Sequence, residues 1–234
     1  MCRRFPTNPV DITAAAFWTA LGSIILANVL LSGDNAVVIA LAARGLPAHQ
    51  QRRAIVLGSA AAIVLRIVLT LIAVQLLTLP YLKIAGGLLL LYIGVSLMHE
   101  DEGVGAPANH PVGLGAAVRT ILVADLVMSL DNVLAVAAAA HGDTVLLVLG
   151  LGISIPLIVF GSTMLLRVME RYPLIITAGA ALLGWLAGEM IATDPALSHW
   201  LGGVPRAAAI GAAVAGAVLV VVLGRYIERR QRAA

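Results

Sequence analysis

Apolar runs of about 20 residues recur along the whole chain, and each is long enough to cross a hydrocarbon core of roughly 30 Å as a helix. Seven such spans are expected, at 15–43, 54–77, 80–98, 114–140, 144–168, 173–192 and 206–226. A transmembrane strand would alternate polar and apolar residues over about ten positions. "AAAIVLRIVLTLIAVQLL" and "LLVLGLGISIPLIVF" are instead apolar on all sides, and a helix satisfies its own backbone in lipid. With 61% hydrophobic and 12% charged residues, against the roughly one-quarter charged share of soluble domains, no length is left for a soluble domain. The expected class is an all-α integral membrane protein.

Arg3 and Arg4 before an apolar stretch, with "ALAA" beyond it, superficially resemble a signal peptide. The run is too long, and Asn28, Asp34 and Asn35 interrupt it, so the first span is read as retained. The single Cys2 excludes an intrachain disulfide. Basic residues near span ends set orientation. One side collects Arg44, Arg52, Arg53, Arg119, Arg167, Arg171, Arg225, Arg229, Arg230 and Arg232; the other has Arg3, Arg4, Lys83 and Arg206. This distribution predicts an outside amino terminus and a cytoplasmic carboxyl terminus. The basic tail "RYIERRQRAA" then anchors topology on anionic lipid and is no nucleic-acid arm.

The chain also repeats itself. "ANVLLSGDNAVVIALAARG" at 27–45 aligns without gaps on "ADLVMSLDNVLAVAAAAHG" at 124–142, so Asn28 falls on Asp125, Leu31 on Met128, Ser32 on Ser129, Asp34 on Asp131 and Asn35 on Asn132. After a shorter loop in the second copy, "VLG" at 56–58 meets "VLG" at 148–150; Pro80, Ala85, Gly86 and Asp101 meet Pro173, Ala178, Gly179 and Asp194. Chance explains matched alanines but not Ser-x-Asp-Asn twice. Three crossings per copy force the second to enter from the opposite face, giving two inverted three-helix repeats plus a C-terminal helix. The expected units are a first half at 1–98, a cytoplasmic acidic Gly/Pro linker at 99–113, a second half at 114–192, and a seventh span with a basic tail at 193–234. Secondary transporters use inverted repeats of this type, with the site near the midplane on broken helices.

An ionised Asp at the bilayer centre costs about 2.5–3.5 kcal/mol on insertion scales, so such residues face the bundle interior and mark a path or site. Asp34, Asp125 and Asp131 are three. Asp125, Met128 and Asn132 share a helical face with Asp131 beside them, as Asn28, Leu31 and Asn35 do with Asp34. A packing hydrogen bond or ion pair is the simplest role for one such carboxylate. Arg66, mid-span where its repeat mate is Ile158, can neutralise one as a fixed counter-ion, but not three. Carboxylate, amide and carbonyl oxygens are hard ligands suited to Mg²⁺, Ca²⁺ or Mn²⁺. Gly33 lets the first helix unwind and turn carbonyls toward an ion. Met128 is either core filler or a thioether ligand favouring a transition metal.

"LLSGDNAVVIALAARGLP", "PYLKIAGGLLLLYIGVSLM" and "VADLVMSLDNVLAV" resemble the TerC family of integral membrane proteins, historically linked with tellurium resistance and similar to the wider LysE transporter group. The likeness covers nearly the whole chain, with the twin Asp-Asn motifs as its specific part. It implies export of Mn²⁺ from the cytoplasm across a bacterial-type plasma membrane. Carried over by position, Asp34 and Asn35 match the first motif, and Asp125, Asp131 and Asn132 the second; Arg66 and Lys83 stand where related sequences also tend to be basic.

The functional expectation is a secondary transporter with Asp34, Asn35, Asp125, Asp131 and Asn132 as ligands, joined by Asn28 and Met128, and with Arg66 and Lys83 as counter-ion or gating residues. No tightly bound cofactor is expected. The partners are the divalent cation, protons as coupling ion and the bilayer. The alternatives are a transporter of Ca²⁺ or another divalent cation and a membrane scaffold in tellurite or metal stress. An intramembrane aspartyl hydrolase is disfavoured because each Asp is followed by Asn, which does not titrate. A retinal protein would need a lysine in the last helix, and Lys83 is the only lysine. The acidic linker residues His99, Glu100, Asp101, Glu102 and His110 are read as solvated, Glu189 as interfacial, and His141 and Asp143 as facing water.

Overall fold

The computed structural model describes residues 18–19, 21–26, 33–76, 81–99, 113–139, 144–201 and 203–233. All regular structure among them is helical. Residues 21–26 are followed by α1 (Gly33–Arg44), α2 (Ala48–Leu76), α3 (Leu82–His99), α4 (Leu114–Ala139), α5 (Thr144–Arg171), α6 (Leu174–Ala192), the short α7 (Pro195–Leu201) and α8 (Arg206–Ala233). Among the described residues, Ala48–Thr70, Val148–Arg171, Leu174–Ala192 and Arg206–Arg230 are long and apolar enough to cross a membrane, and Leu82–Met98 is a shorter apolar helix. The shortest of the four has 19 residues. At 1.5 Å per residue that is about 28 Å, close to the hydrocarbon thickness.

Three of these helices start on a proline that loses nothing there, since the first N–H groups of a helix have no intrahelical acceptor. The carbonyl of Pro47 accepts from Gln50 and Gln51 (2.7 and 3.1 Å), that of Pro173 from Ile176, and that of Pro205 from Ala208 and Ala209. Helices and lipid-crossing lengths therefore differ. α2 begins at Ala48, before the expected 54, because Pro47 starts the helix in the polar "AHQQRR" turn. α8 runs past the expected 226 because Arg, Glu and Gln are good helix formers beyond the membrane. α7 was not anticipated; seven residues with no apolar period leave little to detect.

α1 is the central helix. Ala40, Leu41, Ala42 and Ala43 are all buried, so no side of its last two turns faces outward, as expected of a helix apolar all round. It packs on α5, α4, α2 and α6. α2 lies along α4, α3 along α6, and α8 along α6 at the periphery. Small residues set the closest approach, as they do between helices in lipid. At Gly184 and Gly188 of α6 a Cβ would run into the backbone of Gly216 and Ala212 on α8. "GWLAG" at 184–188 is the corresponding small-xxx-small spacing.

Helix ends gather at two faces. At one, the Arg44 guanidinium donates to the Leu97 carbonyl at 3.1 Å, Gln51 donates to the Arg44 carbonyl, and Gly224 of α8 lies against Met98. At the other, Asp194 joins the end of α6 to the start of α3. Its Oδ1 accepts from the N–H groups of Tyr81 (3.1 Å) and Ala196 (2.7 Å), and its Oδ2 from Lys83 (3.1 Å) and Ile84 (3.2 Å). Tyr81 has φ 67°, a left-handed conformation unfavourable for a residue with a Cβ. The Asp194 carboxylate holds it there while capping α3 and α7. Burial raises the Asp194 pKa, and the N–H groups of Ala196, Tyr81, Ile84 and Lys83 outweigh it, so the carboxyl is held below its ordinary value.

Candidate functional site

The polar centre of the bundle is built on α1, α2 and α4. Arg66 is 2% exposed in α2. Its Nη2 pairs with Asp125 Oδ1 on α4, and its Nε donates to Ser129 Oγ at 3.0 Å. Ser129, one turn beyond Asp125, donates to Asp125 Oδ2 at 3.1 Å. Both carboxylate oxygens are thus engaged, and the triangle closes on itself. A buried ion pair must meet its desolvation cost with good geometry and further hydrogen bonds, and Ser129 supplies those.

Asp34 and Asn35 open α1. Asp34 Oδ1 accepts from the Asn35 N–H at 2.8 Å, so the carboxylate sits in the first turn of the helix, where its N–H groups and macrodipole favour negative charge. Ten residues separate Asp34 from Arg44, about 15 Å along a helix and so roughly half the hydrocarbon thickness. Asp34 feels the charges of both Arg66 and Asp125, which places the three in one electrostatic neighbourhood. Asn35 is 3% exposed, and neither its Oδ1 nor its Nδ2 has a hydrogen-bond partner among the described residues. An unpartnered buried amide costs about 1–3 kcal/mol, so this one needs a reason.

The expected set is therefore brought together in part. Arg66 pairs with Asp125, and Asn35 adjoins Asp34 at the start of α1. Met128 is 4% exposed on α4, within the apolar core. Lys83 stands apart: its backbone is bound to Asp194 at the start of α3. Asn28 lies outside the described residues, as do the linker 100–112, His141 and Asp143; Asp131 and Asn132 are described only as helical backbone of α4. Glu189 is exposed near the end of α6, where the interfacial reading put it. No group of three or more His, Cys, Asp or Glu that could hold a metal occurs among the described residues.

Two residues escaped sequence reasoning. Ser129 was legible as a repeated Ser, and its place one turn after Asp125 is the usual spacing for a helical side-chain contact. Asp194 was seen only as the mate of Asp101; "TDP" just before a helix is an N-cap signature.

Apolar helices of membrane-crossing length around a buried, hydrogen-bonded charge pair define a multi-pass membrane protein with a polar interior. The model of the integral membrane protein TerC family matches residues 13–232, and the chain belongs to that family. Among relatives, the uncharacterized membrane protein YjbE of Bacillus subtilis (strain 168) is 47% identical over 174 residues, 74% of this chain and 79% of the relative. The UPF0053 inner membrane protein YgdQ of Escherichia coli (strain K12) is 27% identical over 180 residues, covering 69% of this chain and 75% of its own length. The uncharacterized membrane protein YceF of Bacillus subtilis is 26% identical over 193 residues, 79% and 72% of the two chains. No solved structure matches.

Proposed function

We propose that the chain is a secondary transporter that exports divalent metal cations, Mn²⁺ foremost, from the cytoplasm by alternating access. The observation that carries this reading is Asn35: a buried amide with no partner among the described residues, next to a carboxylate half-way through the bundle. A structural amide would be hydrogen-bonded. One that lends its oxygen to a passing ion is left unpartnered in the ion's absence. Asp34 supplies charge, Asn35 a neutral oxygen, and Asp125, Asp131, Asn132, Asn28 and Met128 complete the proposed ligand set. Arg66 holds Asp125 while the ion is away, so the empty carrier changes face with that carboxylate paired. Protons are the proposed coupling ions.

Seven spans in two inverted repeats, with the amino terminus outside and the carboxyl terminus in the cytoplasm, form the proposed architecture. Three sets of contacts support it. A Cβ at Gly58 would meet Ile121 at 2.6 Å, and one at Gly150 would meet Ile24; Gly58 aligns with Gly150, and Ile121 with Ile24. At the crossing of α3 and α6, Gly87 faces the Ala187 carbonyl and Gly94 the Ala180 carbonyl, and the repeat exchanges these two pairs. Arg44 and Arg225 adjoin the face that holds Leu97 and Met98, which is the proposed cytoplasmic side.

The test is Mn²⁺ flux in proteoliposomes containing the wild type, Asp34→Ala or Asn35→Ala, with Ca²⁺, Mg²⁺ and Zn²⁺ as competitors. The wild type should carry Mn²⁺, and both variants should lose it. A wild type that moves no ion would refute transport and leave the scaffold role. Flux that survives both substitutions would sink the site.

A further inference from the structure

We propose that the groove between α2 and α5 is a binding site for an anionic phospholipid. It has a volume of about 700 Å³, within the roughly 300–1,000 Å³ of built ligand sites. Both helices are membrane-crossing segments, and the groove is graded along them. At its deep end the wall is Ile55, Pro156 and Val159, with Phe160, 71% exposed, as its outer lip. Thr163 turns its hydroxyl back onto the Val159 carbonyl at 2.7 Å, so that level of the wall presents chiefly its methyl. At the shallow end stand Arg52, near the start of α2, and Arg167, near the end of α5. Pro156 lies eleven residues before Arg167, about 16 Å along a helix, which suits an acyl chain below a headgroup.

Charge identifies the occupant. Arg52 and Arg167 are exposed, and neither is in an ion pair among the described residues. Against them stands one acid, Glu170, leaving a net positive rim. Two guanidinium forks over a single phosphodiester, with an apolar slot leading away from it, are complementary to an anionic glycerophospholipid and to neither a neutral lipid nor a bare phosphate. The slot gives a soluble phosphate nothing to bind, and the excess positive charge gives a zwitterionic headgroup no advantage.

Native mass spectrometry of the full chain, equilibrated with phosphatidylglycerol and phosphatidylcholine, reads this without any transport measurement. The wild type should retain phosphatidylglycerol about tenfold or more over phosphatidylcholine, since each basic residue at a membrane surface adds severalfold to anionic-lipid binding. Arg52→Ala/Arg167→Ala should abolish the preference. Val159→Trp, which fills the slot and keeps both arginines, should evict the lipid, while Arg206→Ala, exposed at the start of α8, should change nothing. Equal retention of both lipids by the wild type would overturn the proposal. So would unchanged retention in either groove variant, or displacement of the lipid by soluble glycerol phosphate.

Discussion

Gly58 against Ile121 and Gly150 against Ile24 occupy matching columns of the internal repeat and make the same kind of contact. Eight residues beyond the two glycines the likeness ends. Arg66, bound to Asp125, has Ile158 as its mate, and Asp125 has Asn28. The duplicated element is the close approach of helices; the element present once is the charge pair. On the proposed transport reading, two like halves need equivalent packing on both sides to change face, whereas a second arginine would cancel the charge that reading assigns to the ion.

The largest effect should come from breaking the pair. Arg66→Ile installs the mate's residue and leaves Asp125 buried without its cation, at a cost of about 3–5 kcal/mol. Arg66→Ile/Asp125→Asn makes the centre resemble the other copy and should recover most of that stability, because it removes both charges. Thermal unfolding in detergent measures both variants, and flux measures the consequence. The double variant is expected to be folded and inactive. If it is as unstable as Arg66→Ile alone, Arg66 stabilises the bundle through something other than Asp125.

Gly58→Val and Gly150→Val test the other side of the comparison. Each forces a branched side chain onto an isoleucine, and overpacking of this kind costs about 1–3 kcal/mol. The two losses should be similar, and trimming the facing residue, Ile121→Ala or Ile24→Ala, should relieve each. Gly188→Val should cost more than either, because the obstacle is the Ala212 backbone, which cannot rotate away.

Hydropathy made the helices legible because lipid demands long apolar runs, and the described helices from α2 onward, the short α7 excepted, begin and end within a few residues of those expected apart from the polar extensions of α2 and α8. The carboxylates were legible for the complementary reason: Asp34 and Asp125 are costly where they lie. Pairing was not. Nothing in the spacing of Arg66 chooses among three acids, since that depends on how α2 rotates against α4, and Gly58 packed on Ile121 sets that rotation. Asp194 escaped because its partners Tyr81, Lys83 and Ile84 are over 100 residues away and offer backbone N–H groups, which carry no sequence signature.

Asp194 also ties the starts of α3 and α7 to one carboxylate, so Asp194→Ala should cost about 1–2 kcal/mol, the range for a lost N-cap. Its folded pKa lies below the unfolded value near 3.9, so its contribution is fully present above that value. It is lost as the pH falls below about 4 and through the folded pKa. Unfolding of the wild type and Asp194→Asn from pH 6 downward should converge in acid. A gap that persists there would mean the carboxylate charge is not what caps these helices.

Asn35→Leu should have the smallest effect on stability and one of the largest on flux. Leucine has the same branched heavy-atom skeleton as asparagine, with methyl groups in place of the amide oxygen and nitrogen, and it removes a buried donor and acceptor that have no partner among the described residues. Replacing such a group with an apolar one is close to neutral, within about 1 kcal/mol, and can be stabilising. Arg66→Ile lowers both stability and flux, so it cannot separate structure from function; Asn35→Leu separates them. Unchanged unfolding with flux abolished would place Asn35 on the ion's path. A loss above about 2 kcal/mol would instead mean that the amide is satisfied within the bundle, as buried polar groups ordinarily are.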